Sequence, residues 1–149
     1  MLIRTHLAIT LFFVILLFQI VDYKAVFVIV AIIATYLPDA DTRFSKIGRK
    51  KAFRILQWFT RHRGFFHSFT FLIVLSFIFL LLIPRISLGF FLGYGLHLIA
   101  DGFNVSGIRP FWPLNFRLKG KIRTGGIFEF LIFMSFLVFD LILFLMVFS

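Results

Sequence analysis

The amino-acid sequence predicts an all-α, polytopic helical membrane protein. Of its 149 residues, 61% are hydrophobic, 25 are Phe and only 15% are charged. Soluble domains are about half apolar and about a quarter charged, and one of this length could not bury so much apolar surface in a single core. The chain has no Cys, which excludes a disulfide scaffold and a thiolate zinc site. Helices are favoured because they satisfy their own backbone groups in lipid.

Five apolar stretches mark the predicted helices, and no low-complexity linker divides them, so residues 1–149 are predicted to form a single integral membrane domain. Only the last stretch reaches the length of about 20 residues that a crossing needs. The others must borrow flanking residues, thin the bilayer or re-enter it, which predicts four to five membrane segments. The stretches are Leu7–Val21, Ala25–Leu37, Phe69–Ile83, Ile86–Ala100 and Ile127–Phe148.

The positions of the basic residues predict the orientation. The chain has 16 Lys and Arg against 6 Asp and Glu, and 14 of the basic residues lie at Arg4 or in the two segments 38–66 and 101–126. By the positive-inside rule, the N-terminus and both long loops face the cytoplasm, and five crossings leave the C-terminus outside. Topology and anionic lipid together explain the net charge of +10 without specific nucleic-acid binding.

The first basic loop contains a predicted amphipathic helix, Ile47–Thr60. Its apolar residues share one face and its basic residues, four apart, share another. Such a helix is typical of a segment that lies flat at the membrane interface, although a solvated basic loop would have the same composition. The apolar face comprises Ala52, Ile55, Leu56 and Phe59, and the basic face comprises Lys46, Lys50 and Arg54.

The few His and acidic residues cluster at the predicted cytoplasmic ends of the segments. All four His and four of the six acids fall there, although the orientation was derived from Lys and Arg alone. Ionisable groups near hydrocarbon are costly and therefore indicate a functional site. These residues are His6, Asp39, Asp41, His62, His67, His97, Asp101 and Glu129.

Two interpretations of this cluster compete. Nearby Arg side chains could neutralise the acids in a structural ion-pair network, or His and carboxylates together could bind divalent metal. The spacing favours metal: His97 and Asp101, four apart on a helix, share a face, and Asp39 and Asp41 can face one pocket in an extended turn after Pro38. A second helix is expected to begin near His67. Imidazole and carboxylate without thiolate suit zinc, iron or manganese in a catalytic site.

The order of these motifs resembles a known family. The chain carries Leu37-Pro38-Asp39-x-Asp41, then His62-Arg63-Gly64-x-x-His67-Ser68, then His97-x-x-x-Asp101. Preceded by His6 and followed by Trp112-Pro113, this order is similar to that of the YdjM-like inner-membrane proteins, which are LexA-regulated, membrane-bound metal-dependent hydrolases. The resemblance implies a helical inner-membrane protein with a metal site. A distant similarity of the family to zinc-dependent phospholipase C implies phosphoester hydrolysis.

The leading hypothesis is therefore a membrane-bound hydrolase that uses two or more divalent metal ions, with zinc the first choice. The metal lowers the pKa of a bound water. Asp41 or Glu129 is the general base or a further ligand, and Arg63 or the loop after Asp101 binds a substrate phosphate. A site at the interface indicates a lipid head group or another phosphoester presented at the membrane. The metal ligands are predicted to be His6, Asp39, His62, His67, His97 and Asp101.

Two alternative functions and the role of Ser68 stay open at this stage. A non-enzymatic membrane protein could use the same polar cluster to tie helix ends together. A metal-ion carrier needs ligands along a path through the membrane, where Asp140 is the only acid deep within a segment. Ser68 is available as a nucleophile, but beside His67 at a helix start it is predicted to be a helix cap.

Overall fold

The computed structural model describes residues 1–41 and 65–149, and the regular elements in these ranges are helices. The prediction of an all-α fold is confirmed. Two isolated β-bridges lie in the connection before the last helix. The helices are α1 Ile3–Leu17, α2 Lys24–Tyr36, a 3₁₀ helix Pro38–Asp41, α3 Phe69–Leu82, α4 Pro84–Gly102 and α5 Ile127–Phe148.

The helix bounds agree closely with the sequence except in α1. That helix begins at Ile3, four residues before the predicted start, so the prediction of Leu7–Val21 is wrong. The first turn of this helix contains the polar residues Thr5 and His6, which interrupt the apolar pattern but are buried inside the bundle. The start of this helix is therefore determined by tertiary contacts and not by the hydrophobic pattern of the sequence.

Within the described residues, α5 is the one helix that is long and apolar enough to cross a membrane. Only 6% of its most apolar 18-residue window is buried, so the other helices leave most of its apolar side chains uncovered. Helices α1, α2 and α3 are apolar but have 13 to 15 residues. At about 1.5 Å per residue they are shorter than the hydrocarbon layer of about 30 Å, and the predicted four to five membrane segments are not supported.

The centre of the bundle is the close packing of α4 against α1 and α2. A Cβ atom at Gly93 would lie 2.0 Å from the carbonyl oxygen of Ala31, so α2 and α4 approach backbone to backbone. Small residues permit such crossings, which are common between membrane helices. In the same region, Val14 of α1 packs with Phe27 and Ala31 of α2.

Contacts between the remaining helices bring five helix ends to one end of the bundle. Helix α5 runs parallel to α1, since Thr5 contacts Glu129 near their first turns and Phe18 contacts Phe148 near their last. Helix α3 is antiparallel to α4, with Phe79 on Phe90. The first residues of α1, α3 and α5 therefore lie beside the last residues of α2 and α4, and the polar cluster lies at this end.

Residues 103–126, called the hairpin below, form an ordered connection at this polar end. Ile108 and Leu118 exchange backbone hydrogen bonds of 2.9 and 3.0 Å, and Gly107 has a φ of +62° at the start of the turn. The amide of Phe69 donates to the carbonyl of Pro110 at 2.8 Å, which ties the hairpin to the beginning of α3. The sequence predicted this segment only as a basic loop.

Candidate metal centre

Four side chains converge at the polar end of the bundle. One ligand atom from each of them lies within 4.8 Å of the corresponding atoms of the others. The two His side chains are completely buried and the Asp101 side chain is 2% exposed, whereas the Asp39 side chain is 30% exposed. The group is therefore closed on three sides and open at Asp39. Its members, called the metal centre below, are Asp39, His67, His97 and Asp101.

The orientation of His97 is fixed by a backbone carbonyl. Its Nδ1 lies 2.8 Å from the carbonyl oxygen of Thr35, which can only accept a hydrogen bond. In the neutral ring Nδ1 therefore carries the proton and Nε2 carries a lone pair. That Nε2 is buried without a hydrogen-bond partner in residues 1–41 and 65–149. It lies 3.8 Å from both Asp39 Oδ1 and Asp101 Oδ2, which are acceptors too.

These distances fit a cation between the groups better than direct pairing. Charge-assisted hydrogen bonds have lengths of about 2.7–2.9 Å, shorter than the 3.7 to 3.9 Å contacts of the metal centre. Ligands bound at about 2.0–2.1 Å to a tetrahedral zinc ion lie about 3.3 Å apart. The four contacts between His Nε2 and carboxylate oxygens would reach that spacing by shortening about half an ångström, and the remaining pairs, which lie within 4.8 Å, would shorten further. Two imidazoles and two carboxylates also supply the charge that a divalent ion needs.

Asp101 directs one oxygen into the metal centre and uses the other outside it. Its Oδ1 accepts from the terminal ammonium of Met1 at 2.6 Å and lies 3.3 Å from Nε2 of His6. Within the described ranges its ion pairs involve this ammonium and His rings, and no Lys or Arg. The alternative of a network neutralised by Arg therefore has no support at Asp101.

His6 lies beside the four residues of the metal centre, and its role as a metal ligand stays a prediction. Its ring stacks on that of His97, with centroids 4.0 Å apart and planes 6° from parallel. Because its Nε2 faces Asp101 Oδ1, His6 holds both the ring of His97 and the carboxylate of Asp101 in place.

Asp39 belongs to the 3₁₀ helix Pro38–Asp41 and not to the extended turn expected from the sequence. Burial acts to raise the pKa of the Asp39 carboxyl, but the adjacent imidazoles of His67 and His97 outweigh burial, so its pKa lies below the ordinary value. Asp39 is thus an anion at neutral pH.

Glu129 lies near the metal centre but is engaged elsewhere. It is 1% exposed, and its Oε1 accepts from the amide of Leu2 at 2.5 Å and from the hydroxyl of Thr5 at 3.1 Å. Its Oε2 accepts from the amide of Gly125 at 2.6 Å. These three bonds join the beginnings of α1 and α5, and the described structure does not bring Glu129 into the group of four.

Comparison with known proteins identifies the family. The family model for the YdjM inner membrane protein matches residues 1–148. The chain belongs to the YdjM inner membrane protein family. The resemblance drawn from the motifs is therefore confirmed, and inner-membrane association agrees with the membrane-capable α5.

One relative is the uncharacterized protein YvsG of Bacillus subtilis strain 168. It is 34% identical over 106 residues, which is 67% of this chain and 66% of YvsG. The match therefore spans slightly less than two thirds of the relative's length. No solved structure matches this YdjM-family chain.

Several predicted site residues lie outside the residues that the structure describes. His62, Arg63 and the amphipathic segment Ile47–Thr60 lie outside the described residues. Asp41 ends the 3₁₀ helix, and its side chain is likewise outside the description. The described part of this YdjM-family chain contains one group of side chains that could hold a metal ion, and the predicted roles of His62, Arg63 and Asp41 stay predictions.

Sequence reasoning missed the residues that orient the ligands. Besides offering its carbonyl to His97, Thr35 has a buried hydroxyl that lies 2.9 Å from that of Thr10 on α1. The presence of two Thr residues inside otherwise apolar helices could have indicated this contact, because buried hydroxyls need hydrogen-bond partners. The role of the Thr35 backbone carbonyl could not be predicted, because every residue type has the same carbonyl group.

Ser68 is a helix cap, as predicted. Its hydroxyl accepts from the amide of Phe71 at 3.2 Å and donates to the carbonyl of Phe65 at 2.6 Å. Ser68→Ala is therefore expected to lower the free energy of unfolding by about 1 kcal/mol. Thermal unfolding checks this, with Ser76→Ala on the same helix as the control. An unchanged free energy of unfolding in Ser68→Ala would contradict the role of Ser68 as a cap.

Proposed function

We propose that this protein is a membrane-bound, metal-dependent hydrolase that cleaves a phosphoester at the cytoplasmic face of the inner membrane. The observation that carries the proposal is the metal centre: two His and two Asp side chains around one point, with the lone pair of His97 Nε2 directed at two carboxylates. Zinc is the preferred ion for this donor set, followed by manganese and iron.

The open side of the metal centre is where the reaction would occur. When bound, the metal supplies a water of lowered pKa and polarises the scissile phosphoryl group. His67, His97 and Asp101 would hold the ion from the buried side, and the partly exposed Asp39 would border the substrate. We assign the general base to Asp41, because the oxygens of Glu129 already accept three hydrogen bonds. Arg63 and the basic hairpin bind the phosphate.

The proposed membrane arrangement follows from the charges. The N-terminus, the metal centre and both basic segments face the cytoplasm, and α5 crosses to place the C-terminus outside. Helices α1 to α4 complete the predicted four to five segments by thinning the bilayer or entering it partway. Residues 1–149 then act as one membrane domain.

Metal removal and replacement test this function. The full chain is purified in detergent, stripped with a chelator and assayed on the soluble phosphodiester bis(p-nitrophenyl) phosphate. We expect no turnover in the stripped protein and recovery after one equivalent of zinc or manganese. Turnover that survives complete removal of metal would overturn the proposal. Metal bound tightly without turnover of soluble or lipid phosphoesters would instead support a structural metal protein.

A further inference from the structure

An apolar cavity of about 460 Å³ adjoins the metal centre. Every residue that lines it is apolar, and these residues come from α1, α4, α5 and the hairpin. Its volume lies within the range of about 300–1,000 Å³ that is typical of ligand pockets. The residues used in the argument below are Phe13, Ile99, Ala100, Ile122, Ile132 and Phe136.

One end of the cavity lies at the level of the metal ligands. Ala100 lines the cavity and directly precedes Asp101. Met1 also lines it, and its ammonium lies 2.6 Å from Asp101 Oδ1. The cavity therefore ends beside Met1, on the Asp101 Oδ1 side of the metal centre.

The other end runs along the helices away from the polar end. Phe13 lies seven residues beyond His6 on α1, and Phe136 lies seven residues beyond Glu129 on the parallel α5. At 1.5 Å per residue, both are about 10 Å deeper in the bundle than the polar residues. The cavity thus extends along α5 into the layer that this helix is able to cross.

The cavity is open to lipid on one side and basic beside its entrance. Ile99 and Phe103, which line it, are 48% and 60% exposed. Ile122 lines the polar end and stands between Lys121 and Arg123, whose side chains are exposed. An apolar slot beneath a cationic rim matches a molecule with a hydrocarbon chain and an anionic head.

We infer that this cavity holds one acyl chain of an anionic phospholipid whose phosphate lies at the basic rim, beside the metal centre. The inference names the substrate class of the proposed hydrolase and rests on that function for the reaction at the phosphate. Binding of the chain itself requires only the cavity and the basic rim. A water-soluble phosphoester has no hydrocarbon chain that could fill an apolar cavity of this depth.

Photo-crosslinking tests the occupant directly. The full-length protein is placed in phosphatidylcholine nanodiscs with a small fraction of phosphatidic acid that carries a diazirine in one acyl chain. We expect saturable labelling of the peptides that contain Phe13 and Phe136. Ile132→Trp fills the cavity and should reduce this labelling at least about fivefold, the scale of one overpacked side chain. The matched control is Ile142→Trp, the same change at a 50% exposed residue of α5, which should label like the wild type.

The outcomes separate this inference from the proposed function. Equal labelling of Ile132→Trp and the wild type would overturn the acyl-chain site, even if the soluble phosphodiester is hydrolysed normally. Saturable labelling that Ile132→Trp abolishes would support the site, even if the protein binds no metal. If glycerol 3-phosphate competes as well as unlabelled phosphatidic acid, the head group alone is recognised and the inference is wrong.

Discussion

Replacement of both His97 and Asp101 by alanine is expected to leave the purified protein without stoichiometric metal. The double variant removes two of the four proposed ligands. Because both positions are buried, side chains on the protein surface cannot reach them to bind the ion instead. Loss of a hydrogen-bonding partner behind a ligand already weakens metal binding about 10–100-fold, and loss of two ligands should exceed 100-fold. Elemental analysis and titration against a competing chelator measure the effect.

Controls must separate loss of ligands from loss of fold. Asp140→Asn removes a buried acid about 16 Å along α5 from Glu129 and should keep the metal content of the wild type. His97→Gln preserves more of the side-chain volume and should also lose metal while eluting as a folded protein on size exclusion. Stoichiometric metal in the double variant would contradict the assignment of the metal centre.

The convergence of the polar residues was predictable from the sequence, for a physical reason. In an apolar chain, each charged or imidazole group is costly in the wrong place, so the few that remain mark the ends of segments. Helices that alternate in direction then bring those ends together, as His6, His67 and His97 show. The pairing of His97 with Asp101 followed from helical periodicity alone.

Which of these residues form the metal centre was not predictable. His6 and Glu129 have the same residue types and segment positions as the ligands, but His6 stacks on His97 and Glu129 accepts the amides of Leu2 and Gly125. Those roles depend on how α1 and α5 are placed relative to α4. Backbone donors have no signature in the sequence, so a carboxylate that binds them looks the same as one that binds metal.

The hairpin was missed because its order comes from backbone pairing rather than from a hydrophobic pattern. Its basic side chains correctly predicted a polar segment, but the exchange of hydrogen bonds between Ile108 and Leu118 depends on Gly107. In contrast, the close contact of Gly93 with Ala31 had a readable signal. Gly89 and Gly93 are four apart in an apolar stretch, the spacing of small residues that is typical of helix crossings in membranes.

Replacement of Asp39 by asparagine is expected to reduce the kcat for phosphodiester hydrolysis by about 10²–10⁴-fold, the scale of a misplaced proton-transfer or charge-stabilising group. Asp39 is the one partly exposed member of the metal centre, and its low pKa keeps it anionic at neutral pH. An amide at this position has nearly the same shape but no charge. Steady-state kinetics at saturating metal measure the change, with Asp22→Asn, an exposed Asp at the opposite end of the bundle, as the control.

Asp39→Asn and the double variant should fail in different ways, because the two sets of residues lie on different sides of the metal centre. His67, His97 and Asp101 enclose the ion from within the bundle, so Asp39→Asn should still bind metal at raised concentration while turnover stays low. The double variant should recover neither. If Asp39→Asn regained full turnover with excess metal, Asp39 would only strengthen binding, and the reacting side of the metal centre would have to be placed elsewhere.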